Sequence, residues 1–252
     1  MDIYQIYETL NRLAPFSDSV EYSKRCGFED NSGIVLNTES QIDNVLVTMD
    51  LNNNSLQKAI DLNCQLIVTH HPVIFRAIKR VGGNLMKALN HGIGVISMHL
   101  NLDVNEFGTD RYLAEGLGAT EQEILDVFGN AGYGRYFKVP ATTLAKFKEK
   151  AEKTFNTKRI ITYGDENAKI EKVASFCGAG LDEGEIYASK DADLLVSSDL
   201  RHHVIVKALD EGKNLMILTH YASENYGLKK FSEKMKETLK QNVYFYEDST
   251  LL

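Results

Sequence analysis

The sequence predicts an α/β protein made of two α/β units with mainly parallel sheets. Three observations carry that expectation. Short β-branched runs alternate with amphipathic segments of helical spacing. The apolar run QLIVT at 65–69 is continuous, as in a strand covered on both faces. The β-α order then recurs on either side of residues 120–132. The units are expected to span 1–125 and 126–252, with the C-terminal helix able to pack back on the first.

Each element has a local reason. Residues 2–14 set Ile3, Ile6, Tyr7, Leu10 and Leu13 on one helical face, and Pro15 closes it. GIVL (33–36) and NVLVTM (44–49) read as strands, 54–62 as a helix and QLIVT as the next strand. A short helix over 85–91 stops at Gly92, with His91 where an imidazole suits the helix dipole. GVISM (94–98) is a strand, and 109–117 is a helix ended by Gly118. The second unit starts with a strand at 133–139, and Pro140 leads into a charged helix over 143–155 whose 146–153 face is salt-laced. Strands at 159–163 and 173–177 precede a tight Gly178-Ala179-Gly180 loop, which is too short for a dinucleotide fingerprint. A helix over 183–190, a strand at 194–197, a helix at 204–209 and a strand at 215–219 follow. A long helix over 223–240 and a strand at 243–246 complete the chain.

Composition excludes several classes. There are 252 residues with 28 Lys and Arg against 35 Asp and Glu, a net charge of −7, so a nucleic-acid-coating protein is not expected. A small anionic substrate in a locally basic pocket remains compatible. Arg76, Lys79 and Arg80 form the clearest basic cluster, read either as a phosphate attractor or as a solvated loop. No window reaches the roughly 18 apolar residues of a membrane helix, and the start lacks a basic, apolar leader. A cytoplasmic protein that binds no membrane is expected. Cys26, Cys64 and Cys177 form no CxxC pair and read as reduced, mostly buried thiols.

In open parallel sheets, ligands bind outside the carboxyl ends of the strands. Three strands end in metal-ligand residue types. His70-His71 follow QLIVT, and two adjacent imidazoles facing one cavity suit two metals better than one. His99 and Asp103 follow GVISM, and a carboxylate can bridge two cations. His220 and Glu224 follow LMILT; an i, i+4 pair shares one face if the helix has begun by His220, and lies within a turn of the strand end if it begins at Ser223. Each signal alone is weak, because most buried polar residues are only hydrogen-bonded. Together they favour a mixed imidazole and carboxylate metal site, for which Zn, Fe, Mn, Co and Ni are all acceptable.

These residues also carry a family resemblance. IVTHHPVIF (67–75), HLNLD (99–103), SFCGAG (175–180), SSDLRHH (197–203) and THYASE (219–224) run in the order found in GTP cyclohydrolase I type 2 homologues, the Nif-three-like dinuclear metal-binding proteins. The sequence resembles that family over nearly its whole length. The resemblance implies the Nif-three-like fold, with the metal site in the cleft between two α/β units. It implies two divalent ions per subunit: His71 and Asp103 on one, His70 and His220 on the other, and Glu224 bridging. It also implies a homohexamer built from dimers, and 252 residues leave no room for the inserted domain of some members. Two departures stand out. Leu100 replaces the usual Thr of the His-Thr-Asn-Leu-Asp motif, and Tyr22–Gly27 (YSKRCG) stands where a Trp-Asp-Asn-type motif is usual.

A dinuclear centre lowers the pKa of bound water and polarises the bond under attack. The expected function is metal-dependent hydrolysis of a small substrate, with GTP or another nucleotide implied by the family name. His99 reads either as a partner of the ligands and proton shuttle or as a hydrogen-bonded core residue. Of His202 and His203, one is expected to face the cleft as acid, base or substrate contact, and the other to cover a helix that Asp199 would N-cap. The alternative is a non-catalytic metal-binding or regulatory protein, such as an ion store, an insertion factor or an interaction partner. Five ligands for two ions leave open positions, and no cysteine is expected beside these motifs; both points favour the enzyme.

Overall fold

The computed structural model describes residues 1–76, 78–189 and 191–252, with only the backbone of Phe128. Packing divides the chain into two compact units: Met1–Asp103 with Leu228–Asp248, and Val104–Gly227 with Ser249–Leu252. By packing, the chain passes out of the first unit after Asp103. The chain rejoins the first unit at Leu228 because its last strand pairs there.

In the first unit, α1 (Ile3–Leu13) and α2 (Phe16–Cys26) precede β1 (Gly33–Leu36), β2 (Asn44–Thr48) and α3 (Asn53–Asp61). Then come β3 (Leu66–Thr69), α4 (Gly83–Asn90), β4 (Gly94–Ser97) and the single turn α5 (Leu100–Asp103). α1 starts from a capping box: Gln5 N donates to the Asp2 carboxylate at 2.8 Å, and Asp2 N donates to Gln5 Oε1 at 3.1 Å. Sequence periodicity missed α2, whose buried face mixes Phe16 and Tyr22 with Ser19 and Ser23. Gly27 closes it in the left-handed region at φ +74°.

The second unit contains α6 (Thr109–Leu117), β5 (Glu123–Phe128), β6 (Ala131–Thr143), α7 (Leu144–Thr154) and β7 (Ile161–Tyr163). β8 (Lys169–Ser175), α8 (Glu183–Ala188), β9 (Leu194–Ser197), α9 (His202–Asp210) and β10 (Asn214–Ile217) follow. α10 (His220–Thr238) belongs to this unit through Gly227 and to the first from Leu228, which also holds β11 (Asn242–Phe245). The helix expected over 183–190 forms as α8; position 190 lies outside the described residues.

The first sheet runs β1-β4-β3-β2-β11 and is parallel except for β1 against β4. β3 is wholly buried, as its continuous apolar run predicts. Its helix-side core joins Leu46 and Ile67 to Leu56, Ala59 and Ala88. The second sheet runs β5-β6-β8-β9-β10-β7, with β8, β9 and β10 parallel and its edges antiparallel. Two expectations need correction here. EILDVF, taken as part of the division between units, is β5 and pairs with β6. β6 runs straight through Pro140; the register slips between Lys138 and Thr142, so the proline falls where no ladder donor is required.

Candidate metal centre

In the first unit, three neighbouring parallel strands deliver their next residues to one sheet edge. Asp50 comes two residues after β2, His70-His71 directly after β3 and His99 two after β4. The pairing outlasts the strands, since His70 N donates to Thr48 O at 3.1 Å and His71 N to Met49 O at 3.0 Å. Each imidazole is then tied through Nδ1. That of His70, whose side chain is fully buried, meets Met98 O at 2.8 Å, and that of His71 meets Asp50 Oδ1 at 2.8 Å. Asp103 closes α5, where its N–H donates to His99 O, and its Oδ1 lies 3.4 Å from His70 Nε2.

His99 is held in the same manner. Its Nδ1 meets Asp30 Oδ1, and its backbone N donates to Ser32 Oγ at 3.0 Å. Its ring stands edge-on to His70 and His71, with centroids at 5.5 and 6.2 Å. Burial raises the pKa of Asp30, but hydrogen bonds from His99, Ser32 and Ser19 outweigh it, leaving the carboxyl below its ordinary value.

The second unit repeats the device with β8, β9 and β10. They are followed by Gly178, Asp199 and His220 respectively. α10 begins at His220, three residues before the expected start, so His220 and Glu224 share its first turns. His220 Nε2 lies 3.1 Å from Glu224 Oε2, and His220 Nδ1 lies 2.6 Å from Asp199 Oδ2. Asp199 therefore does not cap α9. The N-cap position is Arg201, and Asp199 anchors the imidazole from the left-handed region at φ +47°. Gly178 sits at φ +56°, and a Cβ there would collide with Glu224 Oε1. Its N–H donates to Ser223 Oγ, and its carbonyl accepts from Ser197 and Ser198 Oγ.

Cys177, beside that glycine, is buried; its N–H donates to Asp110 Oδ1, and its Sγ lies 3.3 Å from Thr109 Oγ1. His202 and His203 open α9 on its exposed side, and neither makes a hydrogen bond or ion pair among the described residues.

The donor chemistry fits cations. His70, His71 and His220 each have Nδ1 tied to an oxygen, the usual device for turning Nε2 towards a metal. The His220–Glu224 atom pair, 3.1 Å apart, matches the spacing of about 3 Å between two ligands held ~2.1 Å from one ion. Among the described residues, His70, His71, Asp103, Cys177 and Glu224 all belong to groups of side chains that could hold a metal ion. Cys177 was not expected there. Its signal in the sequence was its place directly before the strand-end glycine. Asp50 and Asp199 were missed as anchors, although both stand two residues past a strand.

The sequence profile of Duf34/NIF3 (NGG1p interacting factor 3) matches residues 1–250. A "GTP cyclohydrolase 1 type 2 homolog" of Clostridium perfringens is 28% identical over 229 residues, covering 87% of each chain. One of Methanocaldococcus jannaschii is 29% identical over 248 residues, covering 95% of this chain and 96% of its own. Among solved structures, a Staphylococcus aureus hypothetical protein superposes with a TM-score of 0.88 at 23% identity, covering 99% of this chain and 97% of its own. Reduced HcgD from Methanocaldococcus jannaschii superposes at 0.79 with 27% identity, covering 98% of both. No described helix is long and apolar enough to cross a membrane.

Proposed function

Because the chain belongs to the Duf34/NIF3 family, we propose that it is a dinuclear metal-binding hydrolase acting on a nucleotide-like or other small substrate. His71 and Asp103 hold one ion, His70 and His220 the other, and Glu224 is shared between them. The observation that carries this reading is the common construction of the three imidazoles, each tied at Nδ1 to an oxygen, the arrangement that turns Nε2 towards a cation. When bound, two such ions acidify water and polarise the bond under attack. Asp103 and Glu224, both buried, place negative charge where the cations need it. Gly178 leaves Glu224 room beside His220. His99 accepts or donates a proton at the substrate, with His202 or His203 as a further substrate contact.

The name carried by the bacterial and archaeal relatives supports GTP as the first substrate to try. The family resemblance adds a homohexamer built from dimers, which light scattering checks. Elemental analysis of the purified protein tests the centre itself. Two equivalents per chain of Zn, Fe, Mn, Co or Ni are expected, and His70→Ala and Glu224→Gln should each lose at least one. Full metal content in both variants removes the ligand assignment. A fully loaded protein without turnover on GTP or other nucleotides favours a non-catalytic metal protein instead.

A further inference from the structure

Asp30 is a charged group that the metal centre does not use, yet its side chain is fully buried. A carboxylate is costly to bury unless its oxygens are occupied by donors, and here they are. Oδ1 faces His99 Nδ1, and Oδ2 accepts from Ser32 Oγ at 2.5 Å. Ser19 Oγ lies 3.0 Å from Ser32 Oγ and 3.2 Å from Asn101 Oδ1 and so braces that serine. The same serines hold the backbone at both ends of the pair: Ser32 Oγ accepts from His99 N, and Ser19 Oγ accepts from Asn101 N at 2.6 Å. The frame thus fixes the carboxylate and the imidazole together.

An ionised carboxylate has no proton to give, so the hydrogen between Asp30 and His99 belongs to Nδ1. The ring keeps one other polar atom, Nε2. The imidazole is the exposed member of the pair, at 13% against 0% for Asp30, and packs edge-on to His70, His71 and Phe75.

We propose that Asp30 is a positioning residue: it holds His99 as the Nδ1–H tautomer, so that Nε2 presents a lone pair to the attacking water or to an N–H or O–H group of the substrate. This rests on the hydrolytic reading for what His99 meets, but not for the tautomer. It separates His99 from His70 and His71. All three are tied at Nδ1, but only His99 is tied by a carboxylate wholly withdrawn from solvent; Asp50, which ties His71, is 37% exposed. Such a tie orients a ring for proton transfer, and exchanging the carboxylate for an amide is known to leave geometry intact while imposing the wrong tautomer.

The test is Asp30→Asn. Ser32 keeps the amide oxygen, so the amide NH2 faces His99 Nδ1 and drives the ring proton to Nε2. Nitrogen-15 imidazole spectra, with His99 assigned by a His99→Gln variant, are recorded on zinc-loaded and metal-stripped protein. The wild type should show Nδ1–H with a bare Nε2, and Asp30→Asn should show the opposite tautomer with metal content unchanged. The kcat on the turned-over substrate should fall about 10²- to 10⁴-fold with KM within about twofold. A wild-type His99 carrying its proton on Nε2, or on both nitrogens, overturns the proposal, and this holds even if the variant does not fold. So does an Asp30→Asn protein that keeps the wild-type tautomer. Absence of turnover on every substrate would instead end the hydrolytic reading, whatever the tautomer proves to be.

Discussion

The two units present the residues proposed as metal ligands from the same kind of platform by different means. Each uses the carboxyl edge of three neighbouring parallel strands. In the first, His70 and His71 leave directly from a strand end, and ladder hydrogen bonds to β2 hold their backbone. His70 is completely buried and tied to a main-chain carbonyl. In the second, His220 and Glu224 sit on the opening turns of one helix, where i, i+4 spacing aligns them. His220 is 33% exposed, and its anchor Asp199 is 56% exposed. The first unit fixes its histidines by sheet pairing and packing. The second relies on helix geometry and on a glycine that leaves room for the carboxylate.

That difference sets where each unit is fragile. The largest effect is expected from Gly178→Ala, which forces a side chain into the left-handed region and against Glu224. Left-handed strain alone is of order 1–3 kcal/mol, and the displaced carboxylate should cost the protein at least one metal equivalent. Thermal unfolding followed by elemental analysis reads both; wild-type values in both would show that the second unit does not depend on this close approach. A smaller effect is expected from the anchors. Asp50→Asn and Asp199→Asn should each weaken metal affinity by about 10- to 100-fold, measured by competition with a chelator. The loss should be greater at Asp50, the less exposed of the two. A greater loss at Asp199 would reverse the ranking of packing over solvent-exposed anchoring.

Much of this platform was legible from residue order. Continuous apolar runs marked β3 and β4, and reading the residues just beyond them found His70, His71, His99 and Asp103. The same step applied to β2 and β9 would have found Asp50 and Asp199. Asp199 instead reads as a helix cap, because an Asp shortly before a helical run is a common cap signal. Whether His220 lay on the helix stayed open until the structure placed the start of α10 there. Asp30 carried no signal at all: it lies in a connection before β1, and its importance comes from contacts nearly seventy positions away. β5 and α2 were missed for a related reason, since their faces mix polar and apolar residues. Tertiary pairing, rather than periodicity, decides such segments.

The smallest effect separates the units by pH. α1 in the first unit and α8 in the second open with the same capping box, Asp2 with Gln5 and Asp182 with Glu185. Only the second can titrate at both positions. Burial, and then the neighbouring Asp182, push the Glu185 carboxyl up to about 7. Its folded value is thus above its unfolded one, so the stability it contributes is complete below about 4.5 and is lost as pH rises through about 7. Asp182 moves the other way, lowered first by its hydrogen bond with Glu185 and then by Gly184 N–H, so the stability it contributes is lost only as pH falls below the ordinary aspartate range. Between pH 5 and 8, Glu185 therefore acts alone. Glu185→Gln makes the α8 box a copy of that at α1, and the fall in melting temperature from pH 5 to pH 8 should become shallower. Glu185 is only half-buried, so solvent screening limits the change to about 1 kcal/mol or less. Melting curves of wild type and variant at the two pH values measure it. An unchanged slope would place the pH dependence of the second unit elsewhere and leave the two boxes equivalent.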